Sequence, residues 1–435
     1  MIVPARLNGL ATAVPDYVLH QEDALPAAAR LFSKQAKTMS PERLARIFGN
    51  TAIETRNTCQ PLEWYLQPHD FSERNGLYLL HAGVLLQQAA AGAIADAGLT
   101  PADIDIIVTI SSTGIATPSL DAVLVDRMPF RRDVQRLPVF GLGCAGGVQG
   151  LSRAAALARG QPGARVLLLV VELCSLTLRH GDRSKSNIIA TALFGDGAAG
   201  AVISTTGTGP AITAWGEHTW PDTLDVMGWD AGNDGLRVIF SRDIPTIVER
   251  DFHLALDEFL DRHGLQRQQI NHFLAHPGGA KVLDALEGVF GLPPGGLVEA
   301  REVMRRHGNM SAVTVLFVLQ ELRLSGQAPN RRMLLTSMGP GFTAAFALME
   351  TDGPSGLSWR LSPPSAWANC SIAAITRRGC APGAGSRPAP GTTRFSFWSM
   401  AVGSRPWRSG LARAPPSIGG GWPCSPCCKS AGSGC

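Results

Sequence analysis

Short apolar runs recur along residues 1–352 of the 435-residue chain, each set off by glycine or polar links. Ile104–Ile110 (IDIIVTI), Arg165–Val171 (RVLLLVV), Ile270–His276 (INHFLAH) and Arg332–Thr336 (RMLLT) read as strands. The alanine-rich Leu151–Arg159 and the apolar Ala312–Leu324 read as helices. Gly98 and Gly264 each end a helix, and a short polar link leads from each into a strand. Leu137–Gly143 (LPVFGLG) is another apolar run ending in glycine and reads as a strand. Cys144 therefore falls at a strand-to-helix turn.

These elements repeat. Helix, glycine, link and strand occur around Gly98 and again around Gly264. Cys144 opens a helix that leads to Arg165–Val171, and Asn309 opens one that leads to Arg332–Thr336. The separation of Gly98 from Gly264 and that of Cys144 from Asn309 differ by a single residue. A nearly constant offset through five elements predicts duplicated α/β halves. It also predicts related turn or strand-end positions for Cys144, His276 and Asn309, which pseudo-symmetry can bring together.

Composition changes the picture at one place. The formal net charge is +4, but nine Lys or Arg and no Asp or Glu follow Asp352, which leaves −5 for residues 1–352. A mildly acidic body argues against nucleic acid as a partner. Cys59, Cys144 and Cys174 are the only cysteines before that point, and six follow it. Three scattered cysteines fit a reducing compartment. The tail, 353–435, is rich in Gly, Pro, Ser and Arg and shows no period, so it reads as disordered or non-native. Its Cys424-x-x-Cys427-Cys428 cluster lacks the His, Asp or second cysteine pair of a zinc site. No uninterrupted apolar run reaches the length of about 18 residues that a membrane span needs. Arg6 and Asn8 break any signal-peptide pattern, so no integral membrane association and a cytoplasmic location are expected.

The turn position gives Cys144 its chemistry. Unpaired N–H groups and the positive end of the helix dipole favour thiolate, and a thiolate there is a nucleophile. The plainer alternatives are a small core cysteine at 144, a satisfied core histidine at 276 and a helix N-cap at Asn309.

Five segments carry a family resemblance: Gly143-Cys144-Ala-Gly-Gly, Thr191–Ala199 (TALFGDGAA), Ala275-His276-Pro-Gly-Gly279, Gly308-Asn309-Met-Ser-Ala312 and Met338-Gly-Pro-Gly-Phe342. In this order and spacing the body resembles the type III polyketide synthases, the group that includes chalcone synthases. The resemblance implies an α/β, thiolase-like fold of two duplicated βαβ halves in α-β-α-β-α layers. The halves would be 1–212, with the nucleophile, and 213–352, with His and Asn. It also implies a catalytic triad of Cys144, His276 and Asn309, acting on acyl-CoA and malonyl-CoA as a homodimer without cofactor or metal. Phe194 matches the gatekeeper aromatic between coenzyme A tunnel and cavity. Cys174, Thr177, Gly228, Val238 and Ser311 match cavity positions, and Gly339 and Gly341 match the active-site loop. Arg43 and Arg46 match coenzyme A contacts, although Asn50 replaces a third basic residue. Thr117 falls where family members reach into the partner's cavity.

Cys174 stands where plant chalcone synthases have Thr, and Val238 where they have an aromatic residue. Both changes point to an apolar pocket. Trp220–Trp229 (WPDTLDVMGW) resembles bacterial members that make alkylpyrones or alkylresorcinols, so a medium- or long-chain fatty acyl-CoA starter is expected. Three rivals remain: a ketoacyl synthase of fatty-acid initiation, a catalytically impaired relative, and a dinucleotide-binding dehydrogenase. The last rests on Gly141-x-Gly143-x-x-Gly146 with Glu172 at the end of the next strand.

Overall fold

The computed structural model describes residues 3–33, 40–241, 243–325 and 332–351. The expectations for 353–435, zinc cluster included, lie outside the described residues.

The strands of the first half are β1 (Ala5–Ala13), β2 (Tyr17–His20), β3 (Thr55–Thr58), β4 (Ile106–Ile110), β5 (Gln135–Val139), β6 (Val166–Leu173) and β7 (Asp196–Ser204). Those of the second are β8 (Ala211–Thr219), β9 (Met227–Gly232), β10 (Gly235–Phe240), β11 (His272–Ala275), β12 (Arg332–Gly339) and β13 (Thr343–Glu350). Nine of them run in the order β11-β12-β13-β8-β1-β7-β6-β4-β5, while β9 pairs with β10 and β2 with β3 in small separate sheets.

The duplication is visible in the pairing. β4 and β6 are parallel, β6 and β7 antiparallel, and β7 and β1 antiparallel. β11, β12, β13 and β8 repeat that pattern in the same chain order. The halves join where Ala5 and Arg6 of β1 meet Ile212 and Ala211 of β8. Even the helix ends are copied. Gly98 and Gly264 have φ of 69° and 65°, a conformation open to glycine, and the next residue's N–H closes back on Ile94 O and on Leu260 O, both at 3.0 Å. Each link is then a short turn with its own cap: Thr100 N–H donates to Asp103 Oδ2 (2.9 Å) and Gln266 N–H to Gln269 Oε1 (2.7 Å). These turns explain why β4 and β11 start two residues later than apolar pattern alone predicts.

β5 has no copy: among the described residues no strand lies between β11 and β12. The run read as a strand is β5, and it is exposed despite its apolar residues. Gln135 to Pro138 are exposed, and the strand forms the open edge of the sheet, where a proline without an N–H is tolerated.

Helix Phe71–Asp96 covers β1, β6 and β7 from one side, and helices Gly146–Gly160 and Thr314–Leu324 lie on the other, between the two halves. These inner helices touch closely, for a Cβ on Gly147 would fall 2.3 Å from Ala312 O. Helix Phe71–Asp96 is apolar and long enough by composition to cross a membrane. His81, Gln87 and Gln88 interrupt its apolar run, so a search for unbroken runs misses it. Most of its apolar window is buried against the sheet, as in a core helix.

Candidate active site

The chain leaves β5 at Val139, turns through Gly141 (φ 93°) and Gly143 (φ 48°), and makes a 3-10 turn, Gly143–Ala145, that runs into helix Gly146–Gly160. Cys144 sits in that turn, half-buried, at a helix start with no side-chain cap. Gly143 is pressed on Pro340, whose Cδ would lie 2.5 Å from an added Cβ. The Cys144 sulfur lies 3.5 Å from Ser311 Oγ.

His276 follows β11 directly, its N–H held by Thr336 O at 2.8 Å. Its ring is buried, and neither ring nitrogen has a partner among the described residues. The turn His276-Pro277-Gly278 brings the ring beside Gly278, where a Cβ would lie 3.9 Å from Nε2. Asn309 is fully buried and follows helix Val298–His307 through Gly308, which has φ 66°. Its backbone is clamped to the 193–195 segment, by Asn309 N–H to Leu193 O (2.8 Å) and Gly195 N–H to Asn309 O (3.0 Å). Its carboxamide donates from Nδ2 to Gly278 O at 3.3 Å and accepts at Oδ1 from Ser311 N–H at 2.8 Å. The three residues picked from sequence thus form one connected set: Cys144 to Ser311, Ser311 to Asn309, and Asn309 to the His276 turn.

Burial dominates the electrostatics. It pushes the Cys144 thiol up to about 11, with the nearby Glu172 carboxylate adding to the rise and the Ser311 contact opposing it. It holds His276 down to about 3. Burial thus opposes charge on either group taken singly, and at the sulfur it works against the helix start and the Ser311 contact.

Cys144 opens onto a cavity lined also by Phe194, Cys174, Gly228, Val238, Ser311 and Pro340. The hairpin β9–β10 forms one wall, with Gly228 opposite Ile239 and Val238 opposite Trp229. A second cavity adjoins it, because Cys174 and Phe194 line both. Its walls are mostly apolar, with Ala24, Ala28 and Leu31 on one face of helix Gln21–Ser33, and Leu66, Leu178 and Ala190 also lining it, while Arg56, Thr58 and Asn187 are among its polar members.

Comparison with known proteins decides what this arrangement is. Residues 3–210 match the family model for the N-terminal domain of chalcone and stilbene synthases, and residues 215–351 match the model for the C-terminal domain. The chain belongs to the chalcone and stilbene synthase family. Similar proteins include a putative chalcone synthase of Bacillus subtilis, 38% identical over 80% of this chain and 98% of the relative. A 1,3,6,8-tetrahydroxynaphthalene synthase of Streptomyces peucetius is 39% identical over 78% of this chain and 91% of the relative. Among solved structures, the tetrahydroxynaphthalene synthase of Streptomyces coelicolor, a bacterial type III polyketide synthase, superposes with a TM-score of 0.76 at 30% identity. The match covers 80% of this chain and all of that one. The protein is a type III polyketide synthase, a condensing acyltransferase of thiolase-like fold.

In this type III polyketide synthase the remaining predicted residues fall in different places. Thr177 lines the apolar cavity but not the one at Cys144, and its hydroxyl donates to Cys174 O at 2.7 Å. Gly339 ends β12 packed against Leu142 O, and Gly341 (φ 75°) turns the chain, so the member of that loop presented to the cavity is Pro340. Arg43 and Arg46 lie exposed on helix Pro41–Gly49 and line neither cavity. Thr117 is exposed in the loop after β4 and lines neither cavity.

Sequence reasoning passed over Met227, Trp229, Ile239 and Phe240, because a cavity wall on a separate hairpin has no motif of its own. It also passed over Arg56, which is enclosed and donates to Thr191 O and Phe194 O, fixing the helix end that carries Phe194. The dehydrogenase reading is overturned. Glu172 is fully buried, its carboxylate accepting from Ser112 N–H (3.0 Å) and Oγ–H (2.8 Å), and Gly143 and Gly146 are filled in by Pro340 and by Ile110 with Ala312.

Proposed function

We propose that the protein condenses a medium- or long-chain fatty acyl-CoA starter with malonyl-CoA, by decarboxylative Claisen condensation, to give alkylpyrones or alkylresorcinols. The observation that supports this reading is the second cavity, which is mostly apolar and shares Cys174 and Phe194 with the Cys144 cavity.

In the reading proposed, His276 takes the Cys144 proton as the sulfur attacks the starter thioester carbon. The bond from that carbon to coenzyme A sulfur breaks, and the coenzyme leaves with the proton. Malonyl-CoA then loses carbon dioxide, and the electron pair of the broken C–C bond becomes an enolate with its charge on the thioester oxygen. A His276 ring N–H and the Asn309 Nδ2–H stabilise that oxygen. The enolate carbon attacks the acyl carbon, Cys144 is released, and the lengthened chain returns to it for the next round. Redox cofactors and metals take no part. Arg43 and Arg46 receive coenzyme A phosphates, and the working unit is a homodimer to which Thr117 contributes.

Rates with acyl-CoAs of graded length and labelled malonyl-CoA, with products weighed by mass spectrometry, test the proposal. Each methylene buried is worth about 0.8 kcal/mol, so kcat/KM should rise by up to about fourfold per methylene until the cavity is full. Ala28→Leu, which narrows the apolar cavity, should shift the optimum to shorter chains. A preference for acetyl or aromatic starters, or product from malonyl-CoA alone, contradicts the reading.

A further inference from the structure

Ser311 is held in an unusual way. It is buried, and its φ of 50° lies in the left-handed region that side chains other than glycine seldom occupy. Both of its backbone groups are committed. Its N–H donates to Asn309 Oδ1 at 2.8 Å, and its carbonyl accepts from Thr314 Oγ1 at 2.9 Å. Thr314 Oγ1 in turn accepts from Met310 N–H at 2.9 Å. The turn is closed on itself, and what it aims outward is the hydroxyl, 3.5 Å from the Cys144 sulfur. If the position required only space, glycine would fill it without strain.

We infer that Ser311 is a positioning residue for the nucleophile: its hydroxyl donates to the Cys144 sulfur as the thiol proton leaves, and so sets the pH at which that sulfur reacts. The inference rests on the reading of Cys144 as nucleophile. The same turn orients the Asn309 amide. Ser311 N–H can only donate and Gly278 O can only accept, so Oδ1 must face Ser311 and Nδ2 must face Gly278. One strained residue thereby fixes the sulfur and the carboxamide together.

Other groups act on the same sulfur. Glu172, at the end of β6, raises its pKa, and Cys174 stands in the following turn on the same cavity wall. His276 stands at the end of β11. The Pro340 turn brings no titratable group. Among these neighbours Ser311 carries the hydroxyl that accepts from the Cys144 S–H at 3.5 Å and that can turn to donate to the sulfur once the proton has left, which favours the thiolate.

The test is alkylation of the full-length protein by iodoacetamide across pH, followed on the Cys144 peptide by mass spectrometry. The thiolate displaces iodide, forming the S–C bond as the C–I bond breaks, so the rate tracks the thiolate fraction. Ser311→Ala removes the hydroxyl and keeps the strain, whereas Ser311→Gly removes both. Both variants should shift the alkylation pKa upward by a similar amount, about half a unit or more, slowing the reaction at neutral pH by about threefold or more. Profiles that superimpose on the wild type, or that move in opposite directions for Ala and Gly, overturn the inference and leave Ser311 a packing residue. Cys144→Ala separates the two readings: if it still forms product, the nucleophile assignment fails whatever Ser311 does.

Discussion

At the residue scale the site is a contest between desolvation and a few directed hydrogen bonds. Burial pushes the Cys144 thiol up and the His276 imidazole down, while the Ser311 contact works against burial at the sulfur. His276→Ala should lower product formation by about 10²–10⁴-fold, the range of a lost acid–base group. A smaller loss, measured on a variant whose melting is unchanged, would argue against that role. Glu172 gives a separate test. Burial raises its pKa from 4.5 to about 7, so the folded state binds this proton more tightly than the unfolded state. Its stabilising contribution is full below pH about 4.5 and is lost as pH rises to about 7. Glu172→Gln does not titrate. Its stability relative to wild type should therefore improve across that window, by on the order of 3 kcal/mol. Denaturant unfolding at several pH values measures this, and a difference that stays flat contradicts it.

At the scale of elements, the wall of the catalytic cavity is the β9–β10 hairpin, which belongs to no large sheet and needs an anchor. Two arginines provide it at the hairpin turn. Arg74 donates to Asp234 O and Arg179 pairs with the Asp234 carboxylate, while Arg74 also reaches Leu176 O and Leu178 O at 3.2 Å. Arg179→Met should destabilise the protein by about 1–3 kcal/mol and speed amide exchange across 227–240 more than in helix Gly146–Gly160. Exchange that rises equally in both would mean that the arginine supports the whole fold instead. The hairpin also marks the limit of what was legible in the sequence. The duplicated halves could be read because helix ends, turns and strands recur at one offset, and Cys144, His276 and Asn309 could be read because each sits at or beside a distinctive glycine-containing turn. β5 was legible as a strand but not as an edge, since Leu137, Val139 and Phe140 are apolar whether or not another strand covers them. The cavity wall was hidden because its residues come from two strands that no local pattern pairs. A helix N-terminus at Cys144 shows in sequence, while the burial that opposes it does not, because distant segments supply it.

At the scale of the whole molecule, the open β5 edge is the exposed feature closest in sequence to the nucleophile. Leu137 and Phe140 are 40% and 58% exposed there, and Ile115, two residues from Thr117, is 51% exposed. A second copy docking on this edge would cover all three. Leu137→Glu with Phe140→Glu should yield a monomer by analytical ultracentrifugation, and an unchanged dimer would place the interface elsewhere. β13, which ends at Glu350, closes the second half of the sheet, so a chain ending at Thr351 keeps every described strand. Such a chain should fold and turn over at least as well as the full protein. The central claim is that the sulfur at the start of helix Gly146–Gly160 carries the growing acyl chain, and it can be measured directly. The protein is mixed with a long-chain acyl-CoA in the absence of malonyl-CoA, and its intact mass and peptide map are recorded. The account predicts a mass increase equal to one acyl group, located on Cys144 and absent from Cys144→Ala. An unmodified protein that nevertheless forms product when malonyl-CoA is added, or an acyl group on another residue, contradicts it.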